Sequence, residues 1–380
     1  MEKIKVMSVF GTRPEAIKMA PLVLELQKHP QIESIVCVTA QHREMLDSVL
    51  NCFGLHPDAD LNIMSQGQTL SDITTRALKG LESVYAQFHP DMVLVHGDTT
   101  TTFAGALAAF YSKIPVGHVE AGLRTYDRYS PFPEEMNRCM VSRIAECHFC
   151  PTAQNRDNLA REGITEGVYI TGNTVIDAMR YTVSTDEFVS PELAALPLEG
   201  KQVIAMTCHR RENYGEPMEN IFRAVRRLAE AHPEVAVVYP VHLSPAVREA
   251  ARRVLGNCAN IHLIEPLDAV DMHRLMKRSF FVMTDSGGIQ EEAPALGRPV
   301  LVLRRETERP EAVAAGTVRL AGTKENDIYR LAEELLTDPH VYNEMAHAVN
   351  PYGDGTACPR IAQAIAHHFG LADRPEDFRP

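Results

Sequence analysis

Six polar or glycine-rich clusters in this chain each stand directly behind an apolar, strand-like run. They are Gly11-Thr12-Arg13-Pro14-Glu15, His96-Gly97-Asp98-Thr99, His118-Val119-Glu120-Ala121-Gly122-Leu123-Arg124-Thr125, His209-Arg210-Arg211-Glu212-Asn213, Val241-His242-Leu243-Ser244-Pro245 and Asp285-Ser286-Gly287-Gly288-Ile289-Gln290-Glu291-Glu292. A parallel α/β sheet opens the carboxyl ends of its strands along one edge, and ligands bind there. Three clusters fall in the first half of the chain and three in the second. The pattern predicts two sheets facing a cleft rich in Arg, His and carboxylates.

The spacing between clusters supports this. Expected strands at 3–10, 34–39, 91–96, 115–119 and 147–150 alternate with helices at 14–28, 42–53, 69–87, 99–111, 134–144 and 153–162. Around Val168–Asn173 the chain is expected to leave this unit, and a helix at 175–181 and a loose stretch at 184–199 follow. A second alternation has strands at 202–208, 235–239, 261–264, 280–284 and 299–303, with helices at 217–231, 245–254, 268–277, 289–296 and 324–336. A last helix is expected at 358–369. Alternation this dense implies an α/β fold with doubly wound parallel sheets and right-handed crossovers. At 380 residues the chain exceeds one ordinary core, so two domains are expected.

The formal net charge of -12 argues against a nucleic-acid or anionic-membrane partner, though not against a small anion held by local Arg and His. No apolar run approaches the ~20 residues of a membrane span. The start, Met1-Glu2-Lys3-Ile4-Lys5-Val6, runs straight into a strand without a signal-peptide core, so a cytoplasmic enzyme is expected. Cys147-His148-Phe149-Cys150 reads as a buried strand rather than a redox or zinc motif, because no second C-x-x-C accompanies it. No G-x-G-x-x-G follows the first strand and no histidines have ligand spacing, so neither a dinucleotide cofactor nor a metal is expected.

Asp285-Ser286-Gly287-Gly288 is the clearest phosphate signal. Glycines let a ligand reach the backbone, and the following helix offers free N–H groups; the bland alternative is a tight β-α turn. Glu291 or Glu292 suits a ribose diol, and either also reads as a charge favoured near a helix start. Arg13 suits a phosphate, or a salt bridge to Glu15. His209 suits a diphosphate or an acid role; His242 reads equally as a cap. Asp98 reads as a catalytic carboxylate or a helix cap, and Glu134 or Glu135 as a helix-start charge. Glu120 is harder to dismiss, flanked by His118 and Arg124 in a turn with Gly122.

Taken together, these clusters resemble the bacterial non-hydrolysing UDP-N-acetylglucosamine 2-epimerase family. The likeness includes Pro133-Glu134-Glu135-Met136-Asn137-Arg138, Thr307-Glu308-Arg309-Pro310-Glu311 and Asn350-Pro351-Tyr352-Gly353-Asp354-Gly355, and runs from about residue 3 to residue 369. The resemblance implies a GT-B fold: a Rossmann-like domain at 1–170, completed by a returning C-terminal segment at 358–380, and a UDP-binding Rossmann-like domain at 171–357. It implies Arg13, His209, Ser286, Gly287 and Gly288 at the diphosphate, Glu292 at the ribose and Met272 beside uracil, where an aromatic is more usual. Asp98, Glu120 and Glu134 would be the catalytic carboxylates, with His209 a further candidate. A second, activating UDP-sugar site is implied at Gln41, Glu44, Arg210 and His242, although Glu44 replaces a usual Gln. A homodimer supplying cell-surface polysaccharide is implied too.

The chemistry is consistent with that likeness. The sugar C2–H is not acidic, since no carbonyl adjoins it in the ring. Elimination of UDP to a 2-acetamidoglucal, then re-addition with the proton on the other face, is the route that needs no redox cofactor. Rival readings are a GT-B glycosyltransferase, a hydrolysing 2-epimerase and a silent nucleotide-sugar sensor.

Overall fold

The computed structural model describes residues 3–40, 43–63, 65 and 67–380, and the side chains of residues 43–45 fall outside it. Seven strands form the first sheet: β1 (Ile4–Phe10), β2 (Ile32–Val38), β3 (Ala59–Asp60), β4 (Met92–His96), β5 (Val116–Val119), β6 (Cys147–Cys150) and β7 (Val168–Ile170), in the order β3-β2-β1-β4-β5-β6-β7. Six form the second: β8 (Gln202–Thr207), β9 (Val235–Pro240), β10 (Ile261–Ile264), β11 (Phe281–Thr284), β12 (Val300–Val302) and β13 (Val318–Leu320), in the order β10-β9-β8-β11-β12-β13. Every pairing is parallel. The expected α/β class, two doubly wound parallel sheets, is therefore the observed one. Strand order reverses between β1 and β4 and again between β8 and β11, which is where such sheets bind ligands.

The inner strands are apolar runs because helices cover both faces. In the first sheet Met7, Val9, Val93 and Val95 pack on Leu81 and Tyr85 of the helix Leu70–Phe88 and on Ala106 and Ala109 of the helix Thr100–Tyr111. In the second, Met206, Val237 and Met283 pack on Phe222, Val225 and Leu228 of the helix Glu216–Ala231. Threonine caps start several helices: Thr12, Thr69, Thr99 and Thr152 each accept a backbone N–H three residues on.

The chain divides into two compact units, 1–181 with 352–379, and 182–351 with 380. The first unit thus keeps most of the helix Thr174–Thr182, which the sequence assigned to the second domain. The reason is a buried clamp: the Asp177 carboxylate accepts Ala357 N at 3.1 Å and Cys358 N at 2.9 Å, at the start of the helix Ala357–His368. Three strands were not foreseen, β3, β7 and β13. At two or three residues each, they are too short to show an alternation. The helices Pro310–Ala315 and Pro339–Ala346 were likewise unforeseen. Cys147 and Cys150 do form a buried strand, and burial pushes the Cys147 thiol up to about 12.

Candidate active site

In the first unit the carboxylates gather at the ends of β4 and β5. Gly97 turns the chain at φ +67°, and Asp98 follows. Thr99, not Asp98, caps the next helix, so the capping alternative for Asp98 falls away. Instead Arg138 grips Asp98 Oδ2, with Nε at 2.9 Å, and Asn137 Nδ2 donates to the Asp98 carbonyl at 2.8 Å. Both come from the helix Glu134–Ile144. Glu134 lies four residues before Arg138, hence on the same helix face. Its Oε2 is buried without a hydrogen-bond partner, whereas Glu135 is consumed by the loop: it accepts Thr125 N and Tyr126 N, both at 3.0 Å. That separates the two neighbours left open by sequence.

Glu120 sits in the left-handed region at φ +63°, a conformation that costs a non-glycine residue of order 1 kcal/mol. Oε1 of its carboxylate accepts from Lys18 Nζ and, at 3.1 Å, from Asn173 Nδ2. Oε2 faces the Gly97 turn, where an added Cβ would lie 3.3 Å away, and stands 3.7 Å from His96 Nε2. Burial pushes His96 down to about 4, against the pull of Glu120. Arg124 does not join this group, contrary to its flanking position: its guanidinium is spent on Glu162, at 2.7 and 3.0 Å. The Arg13–Glu15 bridge does not form either. Glu15 closes a capping box, accepting Gly11 N and Thr12 N, and takes the Thr99 hydroxyl at 2.6 Å. Arg13 has no ion pair among the described residues.

In the second unit one buried carboxylate organises two strand ends. Asp285 Oδ2, after β11, accepts His209 N and Arg210 N at 2.8 Å each, and Asn213 Nδ2 at 3.0 Å, all after β8. Asp285 is thus a positioning residue, fully buried. His209 Nδ1 lies 3.4 Å from its other oxygen, and the ring stacks on His242 with centroids 5.4 Å apart. Burial lowers the His209 imidazole below its usual range, with Asp285 opposing. His242 Nδ1 accepts Ser244 N at 3.1 Å, so it does brace its turn.

Ser286, Gly287 and Gly288 then lead into the helix Ile289–Ala295. A Cβ on Gly287 would meet Glu308 Oε1 at 2.8 Å, and Arg210 Nη2 lies 3.4 Å from that same oxygen. Glu291 is bound to Arg309 and buried, which leaves the helix-start charge reading to it. Glu292 is more open and lies 3.3 Å from His273 Nε2, whose Nδ1 is 2.8 Å from the Thr182 hydroxyl. Met272 precedes that histidine on the helix Ala269–Arg278 and is half-buried. Of the activator-site candidates, Arg210 and His242 belong to this unit; Gln41 lies outside the described residues, and Glu44 lies in the helix Arg43–Phe53 with its side chain outside them.

A sequence model described as UDP-N-acetylglucosamine 2-epimerase matches residues 24–366. The UDP-N-acetylglucosamine 2-epimerase of Bacillus subtilis (strain 168) is 57% identical over 380 residues, covering 100% of this chain and 99% of that protein. The chain belongs to the UDP-N-acetylglucosamine 2-epimerase family. The solved UDP-GlcNAc 2-epimerase of Neisseria meningitidis, bound to UDP-GlcNAc, is 51% identical, with a TM-score of 0.86 over 96% of this chain and 100% of that one. The glycotransferase of kitacinnamycin, 12% identical with a TM-score of 0.61, shares the fold alone. Both belong with GT-B-like proteins of two Rossmann-like units. Epimerases are isomerases, so the chain is an enzyme of that class.

Sequence reading of this family member missed three side chains that hold the named ones. Lys18 carried a signal: it is a charge between buried Ile17 and Met19 on the helix Arg13–Gln27. Asn173 and His273 carried none, because their partners, Glu120 and Glu292, are distant in sequence.

Proposed function

We propose that this enzyme reversibly inverts C2 of UDP-N-acetylglucosamine, giving UDP-N-acetylmannosamine, by eliminating UDP and adding it back. The C1–O bond breaks with its electrons leaving on UDP, while a carboxylate takes the C2 proton, and a 2-acetamidoglucal results. UDP oxygen then re-forms the bond to C1 as a proton reaches the opposite face of C2. The observation that carries this reading is Glu120: a backbone held at φ +63°, one carboxylate oxygen fixed by Lys18 and Asn173, the other turned towards the Gly97–Asp98 loop. Two positioned carboxylates suit proton transfer on two faces, with Glu134 a third.

Ser286, Gly287, Gly288, His209 and Arg13 are the groups assigned to the diphosphate, where donors stabilise the charge that develops on departing UDP. Glu292, oriented by His273, is assigned to the ribose, and Met272 to the uracil, where a thioether fills the place of an aromatic. Gln41, Glu44, Arg210 and His242 are proposed to serve a second UDP-sugar. The family likeness also supports a cytoplasmic homodimer that supplies surface polysaccharide.

Turnover in deuterium oxide tests the reaction. UDP-N-acetylmannosamine carrying deuterium at C2 is expected. Product with only protium at C2 contradicts the carboxylate shuttle, and free N-acetylmannosamine with UDP identifies a hydrolysing enzyme instead.

A further inference from the structure

The Thr307–Glu311 segment has no role in the reaction so far, yet it reaches the phosphate loop. Glu308 Oε1 lies where a Gly287 Cβ would be crowded, 2.8 Å from that position. The same oxygen pairs with Arg210 Nη2 at 3.4 Å. A negatively charged group therefore already rests on the glycine face, neutralising a cation beside it. The missing side chain at Gly287 gives the carboxylate room for this approach.

We infer that the Glu308 carboxylate competes with a phosphate for the Gly287 loop, and that it must withdraw for a pyrophosphate to occupy that loop. The inference rests on the assignment of UDP to Ser286, Gly287 and Gly288. The two ends of the carboxylate are held unequally. Oε2 is fixed by Arg304 Nη1 at 2.8 Å, and Arg304 is itself braced by Glu212 at 2.6 Å. Among the described residues, Oε1 has the longer contact with Arg210 alone. Rotation about the Arg304 contact lifts Oε1 away without stranding the charge. Arg304 and Glu212 also line a cavity of ≈ 330 Å³ with Arg305 and Glu306, so space adjoins the pivot. Arg210 Nε, buried and without a hydrogen-bond partner, shows a guanidinium not fully satisfied by its present company. The arginines around Glu308 hold its carboxyl below the usual range against the opposing effect of burial, so it is an anion at neutral pH.

An anion facing an anion weakens binding, so Glu308 sets nucleotide affinity from below. The test is calorimetric titration of UDP into the wild-type chain and into Glu308→Gln and Glu308→Ala, at low and high salt. Both variants are expected to bind UDP at least about threefold more tightly, with the gap narrowing as salt screens the repulsion. Equal or weaker binding by both variants overturns the inference while leaving the UDP assignment intact. Failure of the wild-type chain to bind UDP overturns that assignment, and the inference with it.

Discussion

Glu120 bears backbone strain and a half-buried charge together, and neither is needed to build the sheet. Lys18 and Asn173 hold Oε1, so the productive rotamer is set before substrate arrives. Glu120→Gln keeps the shape and an oxygen for Lys18 and Asn173 but removes the carboxylate proposed to transfer a proton. It is expected to slow turnover by about 10²–10⁴ while UDP affinity stays within a factor of a few, measured by coupled assay and calorimetry. Asp98→Asn is expected to behave alike; loss of UDP affinity in either would make these residues binding groups. Buried histidines beside them govern acid stability. His96 is held near 4 and His118 near 3 by burial, below the 6.5 of an exposed imidazole. Depressed values mean that the unfolded chain binds these protons first. The stability that each neutral ring contributes is therefore present above pH 6.5 and is lost as pH falls towards 4. For His96 this comes to about 3 kcal/mol. Melting temperature should fall across that window, and His96→Gln should flatten the slope.

At the scale of elements, function lies in what joins a strand to the next helix. The Gly97 turn leaves room for the Glu120 carboxylate, at φ +67° that only glycine adopts cheaply. Gly97→Ala is expected to cost about 1 kcal/mol of stability yet a far larger share of kcat, because the added methyl meets Oε2. Asp285 does the corresponding work after β11, and Asp285→Ala removes the acceptor of three donors from the loop after β8. UDP affinity should drop at least about tenfold, since a 1 Å misplacement of binding groups is costly. These loops were legible in sequence because they combine glycine with charge behind an apolar run. Their internal bonding was not. Arg124 looked like a neighbour of Glu120 yet serves Glu162, and Asp285, which only opened the glycine motif in sequence, ties two loops together. Spacing along the chain says which residues reach one sheet edge; it does not say which partner, tens of residues away, takes each hydrogen bond.

On the scale of the whole chain, the alternation of strands and helices fixed the fold class, and the long central strands stood within a residue or two of their expected places. The edge strands β3, β7 and β13 and the unit boundary escaped, because those strands are two or three residues long and Asp177 recruits a helix 180 positions later. That returning helix, Ala357–His368, buries Ile361, Ala364 and Ile365 completely. Each large aliphatic side chain so buried contributes roughly 1.5–3 kcal/mol. Deletion of residues 352–380 should therefore leave the first unit insoluble or molten, as judged by near-UV circular dichroism, although every proposed catalytic carboxylate remains in the chain.

The reaction itself turns on whether UDP departs from C1. UDP-N-acetylglucosamine labelled with ¹⁸O in the bridge between C1 and the β-phosphorus reports this by ³¹P spectroscopy of recovered substrate. Departure and return predict that the label scrambles into non-bridging β-phosphoryl positions, at a rate comparable to epimerisation. Label that stays wholly in the bridge while UDP-N-acetylmannosamine accumulates would contradict cleavage of that bond.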